Sequence, residues 1–224
     1  PTLSAVTLVS NNTTNTLAKA GNVITLQFTA SETIQSPTVT ILSNGAALST
    51  TPVLTNTSGN TWTSVYTANA SDQDGAVTYT IAFSDSAGNA GTNVTGGGVT
   101  FDDTPLTVTS FVLADSALKK GETSTVTLVF SEAVLGFSST ADITVVNGAL
   151  PLMTSSDDIT WTGTFTPTVD LEDTTNVLTL ANTYTDLAGN AGVGSTTANY
   201  SVDTLTPTLS AVTLVSNNTT NTLA

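Results

Sequence analysis

Between positions 23 and 29 the chain alternates. Ile24, Leu26 and Phe28 fall on one face, and Thr25, Gln27 and Thr29 on the other. A period of two predicts a strand with one buried and one solvated side. Val126, Leu128 and Phe130 repeat the pattern. Val39 with Ile41, Trp62 with Val65, Tyr79 with Ile81 and Phe83, and Val94 with Val99 and Phe101 predict further strands in the first half. Ile143 with Val145, Trp161 with Phe165, and Val177 through Leu180 do so in the second. Asn-Gly, Asp-Gly, Ser-Gly and Ala-Gly-Asn steps separate these runs as turns. No window carries a helical period, and Thr, Val and Asn at this density are poor helix formers. The two tryptophans are expected to fill cores between sheets.

The pattern is duplicated at two scales. Residues 1–18, PTLSAVTLVSNNTTNTLA, recur unchanged at 207–224, an offset of 207 − 1 = 206. Inside that unit the segment from Phe83 to Gly91 matches the one from Tyr184 to Gly192. Lys19-Ala20-Gly21 matches Lys119-Lys120-Gly121, Asn44-Gly45-Ala46 matches Asn147-Gly148-Ala149, and Thr61-Trp62-Thr63 matches Thr160-Trp161-Thr162. Phe28, Ser31 and Glu32 echo Phe130, Ser131 and Glu132, and Asp103-Thr104 aligns with Asp203-Thr204. Internal repeats decide architecture. The sequence predicts an all-β chain of two diverged modules, 1–104 and 105–206, with the first strand of a third at 207–224. About seven strands per module at roughly 8–12-residue spacing indicates an immunoglobulin-like β-sandwich. The tail carries apolar Leu209, Val212 and Leu214. It is expected to be ordered only by continuation of an array or by docking on a neighbouring copy, with the pairing of Val212 and Leu214 as the deciding feature.

Composition narrows the chemistry. The chain has no His, Cys or Arg, and its only cations among side chains are Lys19, Lys119 and Lys120 against 17 acids, a net charge of −14. Imidazole bases, thiol nucleophiles and zinc sites built on nitrogen and sulfur are thereby excluded, and no enzymatic activity is expected. Too few cations remain for a nucleic-acid footprint or for binding an anionic membrane. Only 9% of residues are charged and 39% are apolar, so a folded core is within reach. No apolar run approaches the roughly 20 residues that span a bilayer. The chain opens on Pro1 and reads as a piece of something longer.

Three motifs recur in register: Asp85-Ser-Ala-Gly-Asn89 and Asp186-Leu-Ala-Gly-Asn190, the Ser-Glu pairs at 31–32 and 131–132, and the Asp-Thr steps at 103–104 and 203–204. Together they resemble the bacterial Ig-like tandem repeats of large extracellular surface adhesins and biofilm-associated proteins. The resemblance implies a secreted or cell-surface protein whose repeats act as spacers, often stiffened by calcium. Neighbouring repeats, or copies of the chain joined head to tail, are the expected partners.

An immunoglobulin-like template brings Asp72, Asp74, Asp102 and Asp103 to the lower end of module one, and Glu132, Asp186 and Asn190 to the upper end of module two. Hard oxygen ligands from several segments are what Ca2+ requires. Asp72-Gln-Asp74-Gly75 also has the opening of a calcium loop, without the downstream bidentate Glu. The alternative reading is ordinary turn chemistry, in which Asp and Asn cap their own loops. For function, a structural stalk or fibre repeat stands against a module that binds surface glycans or another surface protein through its loops. Thr-x-Thr rows at 61–63, 78–80, 107–109, 160–162 and 164–166 suggest binding to ice or to a crystal surface, but Thr is also simply a good residue for a solvated strand.

Overall fold

A computed structural model of the chain describes residues 1–215. The first module holds nine strands: β1 (Leu3–Ser10), β2 (Leu17–Ala18), β3 (Val23–Ala30), β4 (Thr38–Ser43), β5 (Ala46–Ala47), β6 (Val53–Ser58), β7 (Thr61–Thr67), β8 (Gly75–Ala82) and β9 (Val94–Phe101). They form two sheets, β1-β3-β7-β6 and β2-β9-β8-β4-β5. The alternation seen in the sequence sets the burial. Ile24, Leu26 and Phe28 of β3 are fully buried, as is Ile81 of β8, and these meet Tyr66, Val77, Val99 and Phe101 in one cluster. Each sheet thus turns one face inward, the sandwich arrangement.

The second module is cut into shorter pieces: β10 (Val108–Leu113), β11 (Ala117–Lys119), β12 (Ser124–Phe130), β13 (Val134–Leu135), β14 (Ile143–Thr144), β15 (Gly148–Ala149), β16 (Thr160–Pro167), β17 (Glu172–Asn176), β18 (Thr179–Leu180), β19 (Thr185–Asp186), β20 (Ser195–Thr196) and β21 (Tyr200–Asp203). The β10-β12-β16-β15 sheet mirrors the first sheet of module one. The opposite layer is divided among β11-β21-β17, β14-β18-β20 and β13-β19. Its core is separate from that of module one and is rich in rings. Phe130, Phe137, Trp161 and Tyr184 stack edge-on or tilted with centroids 4.9–6.0 Å apart. Such aromatic pairs contribute about 0.5–1.5 kcal/mol beyond the area they bury.

Three features depart from the sequence reading. A single helical turn, α1 (Ser139–Asp142), interrupts the strands of module two, although no helix was expected. Its side-chain Asp142 accepts a hydrogen bond from the Ser138 N–H and one from the Thr183 hydroxyl, so a local carboxylate closes the turn where propensity alone would not. Both tryptophans flank the cores as partly buried residues, while Phe28, Phe101, Phe130, Phe165, Tyr184 and Tyr200 are the large side chains fully enclosed. Residues 207–215 form no strand, and Leu209, Val212 and Leu214 are 89%, 80% and 100% exposed. The expected pairing of Val212 and Leu214 is therefore not present among the described residues. The same sequence at the start of module one pairs with β3, and that partner occurs once in the chain. Residues 216–224, the rest of the expected third-module strand and turn, lie outside the described residues.

Candidate metal centre at the module junction

Each module ends in a strand that runs parallel to a short segment near its beginning. In module one Leu17 and Ala18 of β2 pair with Thr100 and Phe101 of β9. In module two Ala117, Leu118 and Lys119 of β11 pair with Ser201, Val202 and Asp203 of β21. Ala18 and Leu118 therefore occupy one position, as do Phe101 and Val202. The residue that leaves each sandwich is then Asp102 in module one and Asp203 in module two. This corrects the alignment of the linkers: Asp203 corresponds to Asp102, not to Asp103.

The linker after Asp102 is fixed by side chains of module one. Asp74 accepts from the Asp103 N–H at 2.8 Å and from the Thr104 hydroxyl. Asp103 accepts from the Ala20 N–H at 2.9 Å. Asp102 itself accepts from the Thr104 N–H at 3.1 Å. The upper end of module two is built on the Asp186–Asn190 turn. One Asp186 oxygen accepts from the Gly189 and Asn190 N–H groups at 2.7 and 2.8 Å, and the other from the Asn190 side-chain amide at 2.8 Å. Gly189 sits at φ +92°, a conformation that glycine adopts without steric penalty.

The two ends meet. Asn190 also donates to the Asp102 carbonyl at 2.8 Å, Asn12 donates to the Ala188 carbonyl at 2.8 Å, and the Lys19 ammonium donates to the Gly189 carbonyl. Asp186, Ala188 and Asn190 are buried, at 0%, 2% and 7% exposure. Between the modules the carboxylates of Asp102, Glu132 and Asp186 converge, each offering an oxygen within 4.8 Å of the others. Burial pushes the Glu132 carboxyl above its ordinary value, and the negative charges of Asp102, Asp186 and Asp74 push it further. Burial likewise raises Asp102, opposed by its bond from Thr104 and reinforced by Asp186, Asp74 and Asp103. The Lys19 ammonium at this junction donates to a backbone carbonyl rather than to one of the three carboxylates.

Of the seven residues expected from the sequence, Asp102, Glu132 and Asp186 come together, with Asn190 holding two of them through its amide. Asp74 and Asp103 brace the linker alongside. Asp72 is elsewhere: its two oxygens accept from the N–H groups of Ser49 and Asn69, both at 2.8 Å, closing a loop of module one. Lys19 and Asn12 were not singled out by sequence reasoning as junction residues. Their only sequence signal is position, since each lies in a turn beside the linker.

Residues 102–202 match the family described as a bacterial Ig-like domain. No curated protein matches the chain. Among solved structures the chain is similar to an I-band fragment of titin at 13% identity and a TM-score of 0.48, over 91% of this chain and 66% of that one. It is similar to a domain fragment of Intimin at 13% identity and 0.37, over 86% of this chain and 100% of that one. It is similar to FdeC, an Escherichia coli adhesin, at 18% identity and 0.39, over 89% of this chain and 66% of that one.

Proposed function

We propose that this chain, whose residues 102–202 form a bacterial Ig-like domain, is a structural repeat of a long extracellular bacterial stalk, adhesin or fibre, stiffened at its module junction by calcium. The observation that carries the reading is the convergence of Asp102 from module one with Glu132 and Asp186 from module two. Calcium takes six to eight oxygens at about 2.3–2.6 Å, so oxygens sharing one ion lie within about 5 Å of each other. The three carboxylates meet that requirement, and all the donors are hard oxygens, which suit calcium over zinc or copper. An ion there would tie residues from two modules into one polyhedron and would neutralise charges that otherwise repel. Burial of Asp186 and Asn190 against module one adds a fixed polar seam beside it. The inventory of side chains supports a non-catalytic role, with neither an imidazole nor a thiol in the chain. The protein acts outside the cell, in contact with its own neighbouring repeats.

Small-angle scattering and thermal melting, each with calcium and with chelator, test this. The expected result is a rod that bends or broadens its orientations without the ion and melts at lower temperature, since a ligand bound only to the folded state stabilises it. An unchanged profile together with an unchanged melting temperature would overturn the calcium junction.

A further inference from the structure

The upper end of module one is an uncovered copy of a surface that is buried in module two. Its Asp85–Asn89 turn shares both asparagine bonds with the Asp186–Asn190 turn and differs in one backbone bond, which comes from the Ala87 N–H where Asp186 takes it from Gly189. Asp85 accepts from the Asn89 N–H and the Asn89 side-chain amide, both at 2.8 Å, and Gly88 matches Gly189 in φ at +92°. Ile34 bridges Asp85 as Val134 pairs with Asp186, which places Glu32 where Glu132 stands. Yet Ala87 and Asn89 are exposed, whereas their counterparts Ala188 and Asn190 are buried by the module above them.

The lower end of module two carries the other half. The strand register equates Asp203 with Asp102, and Lys119 with Lys19. The two lysines share even their local cap: Asn22 accepts from the Lys19 N–H and Glu122 from the Lys119 N–H. Glu172 pairs opposite Asp203, and the pairing of Gly75 with Phe101 puts Asp74 in the same place beside Asp102. The linkers have equal length. Ser31 N–H bonds the Thr2 carbonyl and Ser131 N–H bonds the Thr107 carbonyl, so Thr2 and Thr107 are one position. Thr107 lies five residues after Asp102, and Thr208, the repeat of Thr2, lies five residues after Asp203.

We infer that the turn face of Glu32, Asp85, Ala87 and Asn89 is a docking surface for the Asp203 and Lys119 end of the preceding repeat unit. This rests on the reading of the chain as a repeat of a longer array. At that inter-unit junction Asn89 donates to the Asp203 carbonyl and Lys119 to the Gly88 carbonyl, and Asp203, Glu32 and Asp85 gather as Asp102, Glu132 and Asp186 do within the unit. Three contacts have no counterpart. Thr204 and Leu205 stand where Asp103 and Thr104 do, so the bond from Ala20 and the hydroxyl bond to Asp74 are not repeated, and the Thr204 hydroxyl turns instead to the Thr168 and Leu171 carbonyls. The six-residue loop 11–16 that supplies Asn12 is replaced in module two by the three residues 114–116, so the bond to Ala188 is not repeated at Ala87.

The test is a chain of two consecutive 206-residue units in calcium buffer, with spin-label distances measured across each junction. The chain has no cysteine, so introduced ones are the only labels. Ser71→Cys with Leu135→Cys reports the junction inside a unit. Val169→Cys in the first unit with Gln35→Cys in the second reports the junction between units. The expected result is two distance distributions of equal width. A broad inter-unit distribution beside a narrow internal one overturns the docking surface and leaves the stiffened junction standing. Two broad distributions overturn the stiffened-array reading itself. Lys119→Gln in the first unit, an exposed position, is expected to broaden the inter-unit distribution alone, and an unchanged width contradicts the assignment.

Discussion

Asn190 donates one side-chain hydrogen bond to the Asp186 carboxylate beside it and another to the Asp102 carbonyl in the preceding module, both at 2.8 Å. Among the described residues its counterpart Asn89 donates its side-chain amide to Asp85 alone. One amide thus closes a turn and splices two domains. Asn190→Ala is expected to destabilise the chain by about 1–3 kcal/mol, because it leaves buried acceptors without a partner. Asn89→Ala, at an exposed position, costs less. Urea unfolding of the two variants checks the order; equal losses would mean that the Asp102 bond adds nothing.

The Glu132 carboxyl is raised above its ordinary value of 4.5, chiefly by burial and then by its acidic neighbours. A group whose folded value is raised contributes stability below its unfolded pKa and loses it as pH rises through the folded one. In chelator, Glu132→Gln is therefore expected to raise the melting temperature at neutral pH and to leave it unchanged well below pH 4.5. With calcium the sign reverses, because the ion takes the ionised carboxylate. Melting curves against pH, with and without calcium, read both effects.

A Cβ built on Gly192 would lie 2.1 Å from the Tyr184 ring, and one on Gly91 would lie 2.3 Å from the Phe83 ring. These matched glycines let an aromatic side chain cross its own turn. Gly192→Ala is expected to cost about 1–3 kcal/mol by overpacking. Denaturant titration with near-ultraviolet dichroism of the tyrosines measures the loss and the displaced ring.

Burial, and then the charge of Asp142, pushes the Tyr184 phenol up to about 12 from its ordinary 10.0. Burial and then Asp173 do the same for Tyr200. Each hydroxyl donates to a carbonyl, Tyr184 to Val193 at 2.6 Å and Tyr200 to Val146 at 3.1 Å. Their stabilising effect is full below pH 10 and is lost as pH rises toward 12. An absorbance titration should find these two phenols still protonated at pH 11, and Tyr184→Phe should remove one late-titrating group.

The sequence carried the strands wherever alternation was unbroken, as in β3 and β12, because a period-two pattern and a half-buried strand are the same constraint. It carried the Asp-x-Ala-Gly-Asn turn for the same reason: acid, positive-φ glycine and amide are fixed by local geometry. Asp102, Glu132 and Asp186 could be brought to one junction because strand order alone decides which loops share an end. Asp72 could not be separated from them. Whether a loop carboxylate turns to its own backbone, as Asp72 does with Ser49 and Asn69, depends on a few degrees of turn geometry that no spacing encodes. The α1 turn was invisible for a similar reason, being held by Asp142 and Thr183, 41 positions apart. The linker shift by one residue needed the β2–β9 and β11–β21 registers, since Asp102-Asp103 offers two equal choices to an alignment.

Those same parallel ladders determine how each module meets a pull. The chain enters through the strand that leads to β2 or β11 and leaves through β9 or β21, so tension on the two ends drags neighbouring strands in opposite directions along their length. The inter-strand bonds are then sheared together rather than peeled one after another, which is the more resistant geometry for a given number of bonds. The splice is two residue pairs long in module one and three in module two. In both modules the clasp extends past the paired residues, through the Thr100 N–H to the Thr16 carbonyl and the Asp102 N–H to the Ala18 carbonyl in one and the Ser201 N–H to the Ser116 carbonyl in the other, so a loaded chain would be held at β2–β9 and at β11–β21 by the same sheared geometry.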